Sequence, residues 1–202
     1  STIARGKILR IDIEEAKLIP GVRVVLTSKD IPGINQVGGI IPDETLFAEG
    51  EVQFVGEPIG IVVADSYELA KKAVNKIKID YEKLQAVFDP REAFEKGKLI
   101  MPPRIFSFGN VDDAWGKCDI IVEGRVESGG QEHIYLETQG SVAIPEEGGK
   151  IKLISATQSP TTVQRTAARI LGVEMNNIEV DVLRLGGAFG GKEDQATHWA
   201  VM

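Results

Sequence analysis

The chain has 202 residues, 43% of them hydrophobic, with 23 basic and 30 acidic side chains and a formal net charge of −7. That length and apolar content suit one domain, or two small ones, with a buried core. The acidic balance speaks against a nucleic-acid partner, no apolar run approaches the ~20 residues of a membrane span, and the lone Cys118 rules out an internal disulfide or an iron–sulfur cluster ligated by this chain alone.

Lys7 to Asp12 and Val22 to Thr27 read as strands around a short helical stretch from Glu14 to Leu18. Lys29 to Glu49 is long and carries few regular signals; such loops are often functional, so this one is expected to touch another subunit or domain. Val52 to Val55 and Ile59 to Ala64 add two strands. Asp65, with Glu68 three residues on, reads as the N-cap of a helix whose apolar face is Leu69, Ala70, Ala73, Val74 and Ile77. A strand through Ile79 and Tyr81 follows, and the mixture predicts an α+β domain. Leu99 to Pro103 carries two prolines, which remove donors and fix φ. The chain is therefore expected to divide near Lys98 to Asn110, into residues 1–104 and 105–202.

Beyond that point strands are predicted at Ile120 to Val126, His133 to Glu137 and Ser141 to Ile144, then a turn at Glu146 to Gly149 and a strand from Lys150 to Ala156. Ser159 suits an N-cap and Pro160 the first helical position, where a missing N–H is no loss. Val163, Ala167, Ile170 and Leu171 recur at helical spacing, and Gly172 can end the helix. Ile178 to Val182 alternates as a strand. Charge is uneven: 15 basic and 16 acidic residues up to Ile105, against 8 and 14 from Phe106 on. Cys118 is read as a buried structural thiol. The two histidines, His133 and His198, make no zinc motif. Glu132, His133 and Glu137 form a polar cluster that reads as locally paired rather than as an acid–base group.

Gly186-Gly187-Ala188-Phe189-Gly190-Gly191-Lys192-Glu193 is the most informative stretch. It follows a strand and precedes a segment that can open a helix, so its backbone can approach a ligand closely and offer N–H donors to a polar or anionic group. Seven positions fit a P-loop, but the eighth is Glu193 where a hydroxyl must hold Mg²⁺. A carboxylate about 4 Å from a phosphate charge is repelled by ~4 kcal/mol at an effective dielectric near 20, which argues against nucleotide hydrolysis. A structural glycine turn remains open on the motif alone. Gln158 lies at a similar strand-to-helix junction; its primary amide offers two donors and an acceptor without charge, and taken alone it reads as a turn residue.

The blocks Gly129-Gly130-Gln131-Glu132-His133-Ile134-Tyr135-Leu136-Glu137-Thr138, Ala156-Thr157-Gln158-Ser159-Pro160, Leu171-Gly172-Val173 and Gly186 to Glu193 together resemble the molybdenum-cofactor subunit of the xanthine dehydrogenase/aldehyde oxidase family. Pro42 to Ala48, Gly56-Glu57-Pro58-Ile59-Gly60 and Val62-Val63-Ala64-Asp65 resemble the α/β hammerhead domain that precedes the cofactor region there. The resemblance covers nearly the whole chain. It implies an α+β fold, a hammerhead followed by the start of the cofactor-binding domain. It places Gln158 where a glutamine hydrogen-bonds an oxygen of the molybdenum centre, and Phe189 and Gly190 where a Phe-Gly pair touches the cofactor. Glu193 falls where a glutamate holds a purine; aldehyde oxidases usually carry an apolar residue there. Ala188 departs from a third glycine found in many relatives.

The same resemblance implies molybdenum–molybdopterin as cofactor, 2Fe-2S clusters and FAD on other segments or subunits, a purine substrate, the remainder of a molybdenum subunit as partner, an oligomer, and a cytoplasmic oxidoreductase. It further implies that this chain is an N-terminal fragment, inactive by itself. Two other readings stand beside it: a molybdenum hydroxylase for another N-heterocycle or an aldehyde, and a non-catalytic binding or scaffold protein of the same fold.

Overall fold

In the computed structural model, residues 1–39 and 41–202 are described, Gln195 by its backbone only. Ile40, inside the long loop, lies outside the described residues. Contacts divide the chain into one unit of residues 1–86 and 133–202 and a second of residues 87–132.

The first half of the larger unit builds two small sheets. β1 (Gly6–Asp12) lies between β3 (Glu51–Val52) and β5 (Lys78–Lys83), antiparallel to both, with Ile8 opposite Tyr81 and Ile11 opposite Ile79. β2 (Val22–Thr27) pairs antiparallel with β4 (Gly60–Ala64). The β-branched residues of β2 and β4 suit such half-buried ladders. α1 (Glu14–Lys17) and α2 (Tyr67–Val74) supply the small residues of the core, where Ala16, Val25 and Ala73 are buried with Ile13, Val22, Val62 and Ile77 packed against them. The cap of α2 differs from expectation. Ser66 accepts from the Leu69 N–H, while Asp65 forms a two-pronged ion pair with Arg23. The strand expected over Val52 to Val55 stops at Val52, because the chain turns toward Gly56, whose φ is 91°.

The third sheet carries the second half of this unit. β6 (Ser141–Pro145) pairs antiparallel with β7 (Ile151–Ser155), and β7 pairs parallel with β8 (Ile178–Asp181). Parallel neighbours need a crossover, here α5 (Pro160–Leu171). Its apolar stripe, Val163, Ala167 and Ile170, is buried; Val163 and Ala167 join Leu153, Ile178 and Ala200 in one cluster. Burying each Val, Leu or Ile side chain among them is worth about 1.5–3 kcal/mol. α6 (Gln195–Val201) packs on α5. Gly172 ends α5 in the left-handed conformation, φ 66°, with its N–H on the Ala168 carbonyl.

The long loop closes the end of α5. Gly33 and Ile34 donate to the carbonyls of Ile170 (2.9 Å) and Arg169 (3.0 Å), two groups that the helix itself leaves without partners. A Cβ at Gly33 would sit 2.0 Å from the Arg169 oxygen, so only glycine permits this approach. Asn35 braces the loop, accepting from Leu46 and Phe47 N–H and donating to the Phe47 carbonyl. Val37, Leu46 and Phe47 then bury against Ile170.

The smaller unit has α3 (Pro90–Glu95), capped by Asp89, and α4 (Val111–Trp115), capped by Asn110. Glu127 is gripped by Arg91 and Arg125. The strand expected at Ile120 to Val126 is not formed, and in the larger unit neither is the one at His133 to Glu137. Ile120, Val122, Val126 and Leu136 are all more than four-fifths exposed, and alternation cannot make a strand without a neighbour to bond. Cys118 is exposed too, its thiol donating to the Ala114 carbonyl, because no core forms around it.

Candidate cofactor site

Residues 156–159 link β7 to α5. Thr157 is buried; its hydroxyl donates to the Lys192 carbonyl (3.1 Å) and accepts from the Ser159 N–H (3.0 Å). The Gln158 N–H donates to the same Lys192 carbonyl at 2.8 Å. In return Gln158 Oε1 accepts from the N–H groups of Gly190 (3.1 Å) and Lys192 (3.3 Å). Two N–H donors facing the carboxamide fix which end is oxygen, so Nε2 is turned away from the loop. Gln158 is exposed, and among the described residues that NH₂ group has no hydrogen-bond partner. Ser159 occupies the cap position of α5, but its hydroxyl goes to Thr162 Oγ1 instead of a backbone N–H.

The glycine loop is shaped by positive φ at Gly187 (93°), Phe189 (52°) and Gly190 (91°). Phe189 is the non-glycine exception, and its ring is 76% exposed. Ala188 is buried at 5%, so its methyl fills space inside the loop and the departure from a third glycine is accommodated. A Cβ at Gly190 would meet nothing within 4 Å, so the loop is open on that side. On the other side it rests on residues 133–139. A Cβ at Gly191 would lie 2.8 Å from Tyr135 Cε1 and 3.0 Å from His133, and one at Gly186 would lie 2.6 Å from Glu137 Cβ. Gln139 Nε2 bonds the Gly191 carbonyl (2.7 Å) and the Tyr135 hydroxyl (3.2 Å).

Lys192 decides between two readings of the loop. Its side chain is wholly buried, with Nζ 2.9 Å from Glu137 Oε2 and 4.8 Å above the Tyr135 ring. It points into the protein and is unavailable to a phosphate, which removes the P-loop alternative. The same Glu137 oxygen accepts from the Gly186 N–H at 2.8 Å. The Lys192 hydrogen bond, and then the Gly186 N–H, hold the Glu137 carboxyl below its ordinary pKa.

The structure brings Gln158 and Gly190 into direct contact and puts Phe189 beside them on the open loop. Glu193 follows directly, exposed, and among the described residues its side chain makes no hydrogen bond or ion pair. Of the polar cluster at 132–137, Glu137 is paired, as expected, but with Gly186 and Lys192, far along the chain, and not from a strand. Sequence reasoning missed Lys192, Tyr135 and Gln139 as supports of the loop. The signal available for Lys192 was a charge inside a glycine run; its partner lies 55 residues away, beyond any local spacing rule.

Among the described residues no group of His, Cys, Asp and Glu is arranged to hold a metal ion. A metal at this site must bring its own ligands. An outward neutral amide donor, an exposed aromatic and an open glycine backbone fit an organic metal cofactor that presents an acceptor atom to Gln158.

Comparisons with known proteins agree with that chemistry. Residues 1–85 match the model of the aldehyde oxidase and xanthine dehydrogenase a/b hammerhead domain, and residues 95–202 match the molybdopterin cofactor-binding domain. The chain is 43% identical to the xanthine dehydrogenase/oxidase of Gallus gallus over 98% of its own length and 14% of that protein. It is 41% identical to the xanthine dehydrogenase of Oryza sativa subsp. japonica over 100% of its length and 15% of that protein. Among solved structures, the aldehyde oxidoreductase of Desulfovibrio gigas superposes with a TM-score of 0.84 at 25% identity, covering 99% of this chain and 25% of that one. Quinoline 2-oxidoreductase of Pseudomonas putida 86 gives 0.79 at 28% identity, covering 98% and 28%. The chain thus spans a small part of the proteins it matches, and it belongs to the xanthine dehydrogenase/aldehyde oxidase family, as a hammerhead followed by molybdopterin-cofactor-binding sequence.

Proposed function

We propose that this chain seats the metal end of molybdopterin in a molybdenum hydroxylase that oxidises a xanthine-type purine. The observation that carries the reading is the carboxamide of Gln158: its oxygen is occupied by two backbone N–H groups, and its NH₂ is presented outward as a neutral donor. When bound, the molybdenum cofactor supplies two-electron redox chemistry, with oxygen derived from water. Gln158 donates to an acceptor atom of that group, while Phe189 and the Gly190 backbone define the adjoining wall. Donors fixed in advance at a site where charge develops need no reorganisation during reaction.

Glu193 supports the purine over the aldehyde. An exposed carboxylate with no partner among the described residues can accept from ring N–H groups, which a purine has and a simple aldehyde lacks. A site built for such bonds discriminates against ligands that leave it unpaired. Iron–sulfur and FAD partners, an oligomer, a cytoplasmic setting and domain limits of 1–104 and 105–202 belong to the same proposal; the multidomain relatives support the electron-transfer partners.

The test is made on the full-length protein. Elemental analysis is expected to find molybdenum, and kcat/KM is compared for xanthine and an aromatic aldehyde with and without Glu193→Val. Purine oxidation should fall about tenfold or more, at ~1.4 kcal/mol per tenfold, and aldehyde oxidation much less. Absence of molybdenum contradicts the cofactor assignment, and an equal loss on both substrates removes Glu193 from specificity.

A further inference from the structure

The geometry points to Glu137 and Lys192 as positioning residues, a half-buried clamp that holds the two ends of the glycine loop together and thereby fixes the carboxamide of Gln158. Its consequence for turnover rests on the function proposed above.

One carboxylate oxygen, Glu137 Oε2, takes both the Gly186 N–H at the start of the loop and Lys192 Nζ at its end. The Glu137 N–H in turn donates to the Gly186 carbonyl at 3.2 Å. At the far end, Lys192 anchors by its side chain and works through its backbone: its carbonyl receives Thr157 and Gln158, and its N–H holds Gln158 Oε1. The pair differs from Arg5–Glu51, Arg23–Asp65 and Lys152–Glu179, whose side chains are all partly exposed. Lys192 is 0% exposed, whereas Glu137 keeps 42%. A fully buried ammonium must stay paired, so the side chain cannot swing out to release the loop. Tyr135 beneath it adds a cation–π contact and also closes the space under Gly191. Gln158 is thus tied to the protein core through Lys192. A displacement of about 1 Å at a positioned group can cost ~10²-fold in rate, so a support of this kind matters beyond folding.

The test uses the full-length protein carrying Lys192→Met or Glu137→Gln. Lys192→Met fills the same slot, removes the buried charge and leaves Glu137 hydrated, so it is expected to fold. Glu137→Gln leaves the ammonium without a counter-charge and should be the more damaging of the two. Amide hydrogen exchange at Gly186, Gly190 and residue 192 is measured before and after cofactor loading, with kcat and KM per bound molybdenum. With the clamp broken, exchange at these amides should rise about tenfold or more while amides inside α5 change less than about twofold. In Lys192→Met kcat should fall roughly tenfold or more, with KM moving less than about threefold, the mark of lost transition-state positioning. Exchange within about twofold of wild type in both variants overturns the clamp, and faster exchange with unchanged kcat per molybdenum overturns its role in positioning. If the wild type binds no molybdenum, the proposed function fails while the exchange result still decides the clamp.

Discussion

The two strand-to-helix junctions of the third sheet make an instructive pair. The link between β7 and α5 is short, residues 156–159, and both elements it joins are anchored in the core through Leu153, Val163 and Ala167. The link between β8 and α6 is long, residues 182–194, and its glycine loop is held chiefly by polar contacts to Glu137, Gln139, Thr157 and Gln158. The short junction has almost no freedom, so it can position a single amide. The long one can spread an open backbone for a ligand, and it borrows rigidity from the short one. The cofactor site proposed here needs both precision and access, and two crossing loops with opposite mechanical characters supply them.

Removing the core support of the short junction should have the largest effect. Leu153→Ala is expected to cost about 2–5 kcal/mol, read from the denaturation midpoint of the 202-residue chain. Val142→Ala, on the neighbouring strand but 57% exposed, should cost less than about 0.5 kcal/mol. Similar losses at both positions would mean the short junction has no special core support.

Two alanines probe the two sides of the long junction. Gly191→Ala drives a methyl to 2.8 Å from Tyr135 and should cost about 1–3 kcal/mol by overpacking. Gly190→Ala meets open space and should cost only the left-handed backbone penalty, ~1–2 kcal/mol. Equal costs accompanied by an unmoved Tyr135 in a structure of the Gly191 variant would contradict a loop that is packed on one face and open on the other.

The smallest effect is expected from pH. Burial depresses the pKa of His198 on α6, with Glu44 of the long loop partly opposing. A histidine with a lowered folded pKa stabilises the fold above its ordinary value near 6.5, and that contribution is lost as pH falls through the folded pKa. Glu137, also depressed, keeps its contribution until pH drops below its ordinary 4.5. The denaturation midpoint should therefore decline in two steps on acidification. His198→Gln should flatten the first step only; an unchanged profile would show that the α6 contact carries no titrating load.

Much of the fold was legible because it is written locally. Val22 to Thr27 is rich in β-branched residues and forms β2; Pro160 and Gly172 bracket α5 as a start and a stop; Ala167 and Ile170 mark its buried stripe. The junction holding Gln158 and the glycine loop were both visible as interruptions between such elements. What could not be read was pairing over distance. Lys192 meets Glu137 55 residues away, and no spacing rule reports that. The alternation at Ile120 to Val126 predicted a strand for the converse reason: periodicity records which residues could share a face, not whether a neighbour exists to bond them. Asp65 lost its cap role to Ser66 because Arg23, on a strand remote in sequence, offered it a charge partner. The roles proposed for Gln158, Phe189, Gly190 and Glu193 rest on several motifs in order, which no single loop supplies.

Gln158 does two separable things in the proposed function: its oxygen seats the glycine loop and its NH₂ serves the cofactor. Gln158→Glu separates them, because a carboxylate can still accept from the Gly190 and Lys192 N–H groups but has no donor to present. The measurement is kcat of the full-length Gln158→Glu protein at matched molybdenum content. The expected result is an intact fold with kcat reduced about 10²–10³-fold, the scale of one lost preorganised donor. Wild-type turnover in that variant would contradict the account and leave Gln158 as a residue that only holds a turn.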